Sequence, residues 1–171
     1  AVAVFYLSMK KVAQISASGT IEATETELSS KVPGRLSAFY ANEGEYVKEG
    51  KILAKLDVPE LYAELRASKS RLSVAENNYK RMNKLYADGA ISRSQLEVAE
   101  DDYKAASSAM DIVVSKLDDA MVKAPISGTL TLKVVEVGEL VNPGAPIITI
   151  TDLSKVYLMV YIPEKDIGRI A

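Results

Sequence analysis

Lys31–Asp57 reads KVPGRLSAFYANEGEYVKEGKILAKLD, and Lys123–Asp152 reads KAPISGTLTLKVVEVGELVNPGAPIITITD. The two stretches are copies of one pattern. Gly34, Gly44 and Gly50 fall in register with Gly128, Gly138 and Gly144, each pair 94 residues apart. Leu36 and Leu130, Glu45 and Glu139, and Val47 and Val141 keep the same offset. In the first copy Gly34, Asn42-Glu43-Gly44 and Lys48-Glu49-Gly50 are turn signals between short apolar runs. Ser127-Gly128 and Asn142-Pro143-Gly144 do the same in the second, and Ile147, Ile148 and Ile150 make a compact β-branched strand. Two β-rich halves of one small domain are therefore expected, with something inserted between them.

In the insertion the period changes. Val58, Leu61, Leu65, Ser68, Leu72, Ala75, Tyr79, Met82 and Tyr86 alternate spacings of three and four. Leu96, Ala99, Tyr103, Ala106, Met110, Val113, Leu117 and Ala120 do so again. Each run is a coiled-coil seam without an internal Pro or Gly. Between them, Gly89 can end one helix, and Ser92 with Gln95 can open the next as a capping box. So short a turn makes the helices antiparallel, seam to seam, and at 1.5 Å per residue gives a rod roughly 40 Å long. Antiparallel helices return their outer ends together, which predicts Asp57 and Lys123 as neighbours across a closing β domain. On the outer faces, Glu76 with Lys80 is a favourable i,i+4 pair and Glu97 with Asp101 a like-charge pair.

Composition narrows the chemistry. The 171 residues carry a formal net charge of −2, so no overall basic field points to nucleic acid. There is no Cys and no His, which removes thiolate chemistry, the commonest general base and the commonest transition-metal ligand. No P-loop, dinucleotide fingerprint or nucleophile elbow is present. The carboxylates at Asp101-Asp102 and Asp118-Asp119 fall on exposed coiled-coil faces, and Met82 and Met110 belong to the seams, so solvation and packing account for them better than catalysis or metal binding. No catalytic, cofactor or metal residue is expected.

At the ends, Ala1–Leu7 (AVAVFYL) is too short to span a bilayer, which needs about 20 residues. It reads as a buried edge strand or as the remainder of a signal or anchor segment. Val12–Val32 suits short, half-buried strands. Leu153–Ala171 alternates at Val156, Leu158, Val160 and Ile162 like a strand, and Pro163-Glu164-Lys165-Asp166 can open a short helix.

The segments EGEYVKEGKILAKLD (Glu43–Asp57) and VGELVNPGAPIITITD (Val137–Asp152) resemble the two halves of a biotinyl/lipoyl-type domain. With the heptad hairpin between them, the chain resembles a periplasmic adaptor, or membrane fusion protein, of bacterial tripartite efflux and secretion systems. The resemblance implies an α+β chain: an N-terminal segment with membrane-proximal or β-barrel strands (1–27), lipoyl-like half one (28–57), a helical hairpin (58–121), half two (122–152) and the start of a truncated β-barrel domain (153–171). It implies a periplasmic, non-catalytic protein, anchored to the inner membrane at full length. Its partners would be an inner-membrane transporter of the resistance-nodulation-division class and an outer-membrane exit duct, with self-association into a ring. An ATP-binding-cassette exporter or type I secretion system is the alternative. Adaptors that meet such a duct resemble one another in an Arg, Leu, Ser signature at the hairpin tip, whose spacing Arg81, Leu85 and Ser92 reproduce.

Two rivals remain. A swinging-arm carrier needs a modified Lys in the turn between the halves, where this chain has Val58-Pro59-Glu60 and the insertion; Lys55 is near but inside a strand. A pure coiled-coil scaffold leaves the β repeat unexplained.

Overall fold

The computed structural model describes residues 18–161, so Ala1–Leu7, the first part of the Val12–Val32 stretch, Ile162 and the helix start expected at Pro163–Asp166 lie outside the described residues. The first half contributes β1 (Ser18–Ser29), β2 (Gly34–Phe39), β3 (Tyr46–Val47) and β4 (Ile52–Asp57). Two helices follow, α1 (Pro59–Ala87) and α2 (Arg93–Asp119). The second half contributes β5 (Met121–Lys123), β6 (Gly128–Lys133), β7 (Leu140–Val141) and β8 (Pro146–Tyr161). One sheet has the order β1-β8-β6-β3 and the other β5-β4-β2-β7.

The offset of the sequence repeat converts one sheet into the other. β2 maps onto β6, β3 onto β7, β4 onto the start of β8, and the end of β1 onto β5. The hydrogen bonds that join the halves repeat as well. Gly50 N–H donates to the Ala124 carbonyl at 2.8 Å and Ala124 N–H to Lys51 at 2.9 Å; Gly144 donates to Ser30 at 2.8 Å and Ser30 to Ala145 at 3.0 Å. Gly44 donates to Leu130 and Gly138 to Leu36, both at 2.8 Å. Phe39 and Lys133, one repeat apart, touch one another, with the ammonium 4.7 Å from the ring centroid. A residue meets its own counterpart only beside a local twofold axis, so the axis passes there.

β3 pairs with β6 and β7 with β2, so each half lends a strand to the other's sheet. Neither half can close alone. Leu36, Leu130, Val47, Val141, Leu53, Ile147, Leu56 and Ile150, four counterpart pairs, are each 0 or 1% exposed between the sheets. Their burial is the main stabilising term. The turns at Gly44, Gly50, Gly138 and Gly144 all have positive φ, between 79° and 95°, a conformation that any Cβ disfavours.

The turn at Gly44 carries a titratable clamp. Glu45 accepts from the Asn42 N–H at 3.0 Å and pairs with Lys51 at 2.5 Å. The Lys51 hydrogen bond first, then that from Asn42, holds the Glu45 carboxyl below its ordinary value of 4.5. A lowered folded pKa makes this contribution full above the ordinary value, and it is lost as the pH falls from there through the lower folded pKa. Glu45→Gln is therefore expected to lower the melting temperature at neutral pH, with the difference from the parent vanishing in strong acid.

β1 and β8 stay paired far beyond the packed domain, from Ser29↔Pro146 to Ser18↔Tyr161. The register breaks between Ala23 and Thr24, where Leu153–Lys155 are left as a bulge and Asp152 accepts from the Ser154 N–H at 2.9 Å. Burial stops at the same place. Ile21 and Val156–Tyr161 are exposed, so the alternation seen in the sequence forms strands but does not bury a face among the described residues.

The hairpin leaves the β domain where the sheets end. Pro59 starts α1, at a position where its missing N–H costs nothing. Leu61 and Leu117 pack against the β core, and the Leu56 N–H donates to the Ala120 carbonyl at 2.9 Å. Closure thus joins Leu56 to Ala120 rather than Asp57 to Lys123; Lys123 sits opposite Ile52 in the β4–β5 ladder. Lys123 instead pairs with Asp118 at 2.5 Å, and Lys31 with Asp119 at 2.7 Å, so these acids orient the hairpin base. Along the seam Ser68, Ala99 and Val113 are buried, and Tyr79 stacks on Tyr103 with centroids 5.7 Å apart and planes at 7°. Glu97 pairs with Arg93 at 2.8 Å, which offsets its repulsion from Asp101.

Candidate docking surface at the hairpin tip

Arg81 and Leu85 stand one turn apart near the end of α1, and Ser92 caps the start of α2 across the connecting turn. The tip is tightly specified. Gly89, with φ of 72°, donates to the Tyr86 carbonyl at 2.9 Å, and Ala90 donates to Leu85 at 2.8 Å. That paired pattern is a Schellman motif, which satisfies the last carbonyls of α1. Ser92 Oγ accepts from the Gln95 N–H at 3.3 Å, and the Ser92 N–H donates to Gln95 Oε1 at 2.9 Å. Both predicted end signals, Gly89 and the Ser92–Gln95 box, therefore operate.

The three side chains differ in availability. Arg81 is exposed and donates to the neutral Asn78 Oδ1 at 2.6 Å; no ion pair among the described residues involves it. Asp102 lines the same depression as Arg81 without pairing with it. Leu85 is half-buried and faces a shallow depression shared with Met82, Ile91, Val98 and Ala99. The seam runs through Leu85 here, and Tyr86, which the heptad spacing places inward, is 42% exposed. In the last turn the chain is governed by the Schellman motif, which ties the Leu85 carbonyl to Ala90. Ser92 is exposed, but its hydroxyl also contacts Gln95 Oε1 at 3.2 Å, so it serves the cap first. Ile91 and Val98 beside Leu85 lie off the heptad seam, and of the two only Ile91, an apolar residue inside the turn, leaves a mark in the sequence.

Elsewhere, Lys55 lies within β4 opposite Met121, and the hairpin occupies the turn in which a carrier would present its lysine. Among the described residues no three acidic side chains cluster as a metal site.

Residues 24–153 match the family model described as RND MFP, barrel-sandwich hybrid domain. The chain belongs to the RND membrane fusion proteins. The α+β fold of this membrane fusion protein is accordingly a barrel-sandwich hybrid interrupted by two helices. The multidrug resistance protein MdtA of Photorhabdus laumondii is 28% identical over 169 residues, covering 89% of the chain and 42% of that relative. MdtA of Yersinia pestis is 31% identical, covering 89% and 38%. Among solved structures, a MacA-MexA chimeric protein containing the Pseudomonas aeruginosa MexA α-hairpin domain superposes with a TM-score of 0.81 at 29% identity, covering 89% of this chain and 56% of the other. The chain thus spans about two-fifths of the length of these curated relatives.

Proposed function

We propose that this membrane fusion protein is the adaptor of a tripartite efflux system, bridging an inner-membrane transporter of the resistance-nodulation-division class and an outer-membrane channel. Residues 28–57 and 122–152 form the mount, 58–121 reach toward the channel, and 1–27 with 153–171 lie on the transporter side. The protein works in the periplasm, anchored to the inner membrane, in a ring of copies. It transports nothing and catalyses nothing itself; the transporter supplies the energy, and the adaptor holds a sealed conduit in register. Drugs or other small molecules are the cargo, in keeping with the multidrug resistance names of its relatives.

The observation that carries this reading is the tip. A rod of 29 and 27 helical residues carries, near its doubly capped turn, an exposed Arg81 without an ion pair among the described residues and an apolar Leu85. Such a pair suits an acidic or carbonyl-rich partner with an apolar pocket, and the site is preorganised, which lowers the ordering cost of binding. Anchors of this kind are worth about 2 kcal/mol or more each, roughly thirtyfold in affinity.

Arg81→Asp and Leu85→Ser, expressed in cells dependent on this pump, are expected to abolish drug resistance while the purified variants keep their helical circular dichroism. Resistance at the parental level in either variant would defeat the docking role.

A further inference from the structure

Arg81 is held by a neutral neighbour. Its Nη2 donates to Asn78 Oδ1 at 2.6 Å, three residues back on the same face of α1. A carboxylate of α1 could reach Arg81 only from three or four positions away. Those positions hold Asn77, Asn78, Lys84 and Leu85, none of them acidic. Elsewhere on the hairpin the equivalent spacing carries an ion pair. Glu76 meets Lys80 at 2.6 Å, Glu97 meets Arg93 at 2.8 Å, and Glu100 meets Lys104 at 2.5 Å.

Asn78 also stands between the two docking contacts. It is half-buried and walls two depressions, one lined by Val74 and Arg81 and the other by Met82, Leu85 and Ile91. Asparagine is a poor choice for a helix interior, because its side chain competes for backbone hydrogen bonds. Here its amide oxygen accepts from Arg81 instead. A neutral acceptor limits the directions that a long side chain can take and leaves its charge intact. A carboxylate in the same place would limit it as well, but would take the charge for itself.

We infer that Asn78 is the positioning residue of the tip, aiming the Arg81 guanidinium beside Leu85 while keeping its full charge for the docking partner. This rests on the reading that Arg81 and Leu85 dock a partner, and it adds what sets the arginine's direction and strength. It also explains the residue type: the same geometry with an aspartate would satisfy Arg81 before the partner arrived.

Three variants of the full chain test it in cells dependent on this pump, with drug resistance as the readout. Asn78→Ala removes the acceptor, Asn78→Asp replaces it by a carboxylate of the same shape, and Asn83→Asp adds the same charge two residues beyond Arg81, where side chains do not face. Resistance is expected to fall about threefold in Asn78→Ala and about tenfold in Asn78→Asp, and to stay parental in Asn83→Asp. Alanine is the better helix former, so purified Asn78→Ala should melt no lower than the parent, which a merely structural role would not allow. In that variant the heteronuclear NOE of the Arg81 Nε–H should drop, reporting a freed guanidinium. Parental resistance in either Asn78 variant, an equal loss in Asn83→Asp, or an unchanged Arg81 signal overturns the inference. If Arg81→Asp still abolishes resistance in that case, the docking reading survives without it; if Arg81→Asp is parental too, both fall.

Discussion

Leu130→Ala is expected to cost about 3–5 kcal/mol of folding stability, and Leu36→Ala the same to within about 1 kcal/mol. Leu36 is 1% and Leu130 0% exposed, and they are counterparts across the local twofold. Each truncation removes three carbons from a space enclosed by both sheets. Relaxation is restricted, because the backbone of each leucine is tied across the halves, Leu36 to Glu139 and Gly138, Leu130 to Glu45 and Gly44. The loss is a large part of the stability of an ordinary domain. Urea unfolding of both variants checks it. A cost below about 1 kcal/mol for one and not the other would mean that the halves do not share one core.

Gly128→Ala is expected to destabilise by about 2–3 kcal/mol for a different reason. A Cβ there would stand 2.8 Å from both the Thr151 carbonyl oxygen and Ile150 Cγ2. The first is backbone of β8, and moving it breaks the β6–β8 ladder. Gly44→Ala separates this close approach from conformational cost. Nothing lies within 4 Å of a Cβ at Gly44, but its φ is 81°, so about 1–2 kcal/mol is expected from the left-handed backbone alone. Equal losses at the two sites would contradict the steric account of Gly128.

The repeat of glycines and apolar residues was enough to read two β halves, because positive-φ turns and buried alternation leave marks at fixed positions. The exchange of β3 and β7 between the sheets was not legible. A strand's own residues reveal its existence and its buried face, while its partner depends on how the halves fold over one another. The hairpin seam was readable along most of its length and failed at Tyr86, where the end motif at Gly89 overrides heptad spacing. Closure through Leu56 and Ala120 instead of Asp57 and Lys123 has a related cause. Val58 and Ala120, both buried, pull the crossing point to the end of the sheet. Arg81, Leu85 and Ser92 could be picked out by spacing, and they fall in the last turns of α1 and at the cap of α2. Their unequal availability, with Arg81 free of ion pairs among the described residues, Leu85 half-buried and Ser92 committed to its cap, emerges only from three-dimensional contacts.

The central claim is that the β halves form one closed domain and the hairpin is a removable reach element mounted on it. Replacing Pro59–Asp119 by a short glycine-containing turn, which joins Val58 to Ala120, tests this most directly. The shortened chain is expected to lose the helical circular dichroism signal and keep a β-type spectrum. It should unfold cooperatively in urea, with reduced stability because Leu61 and Leu117 no longer cover the core. An unfolded chain would contradict the account.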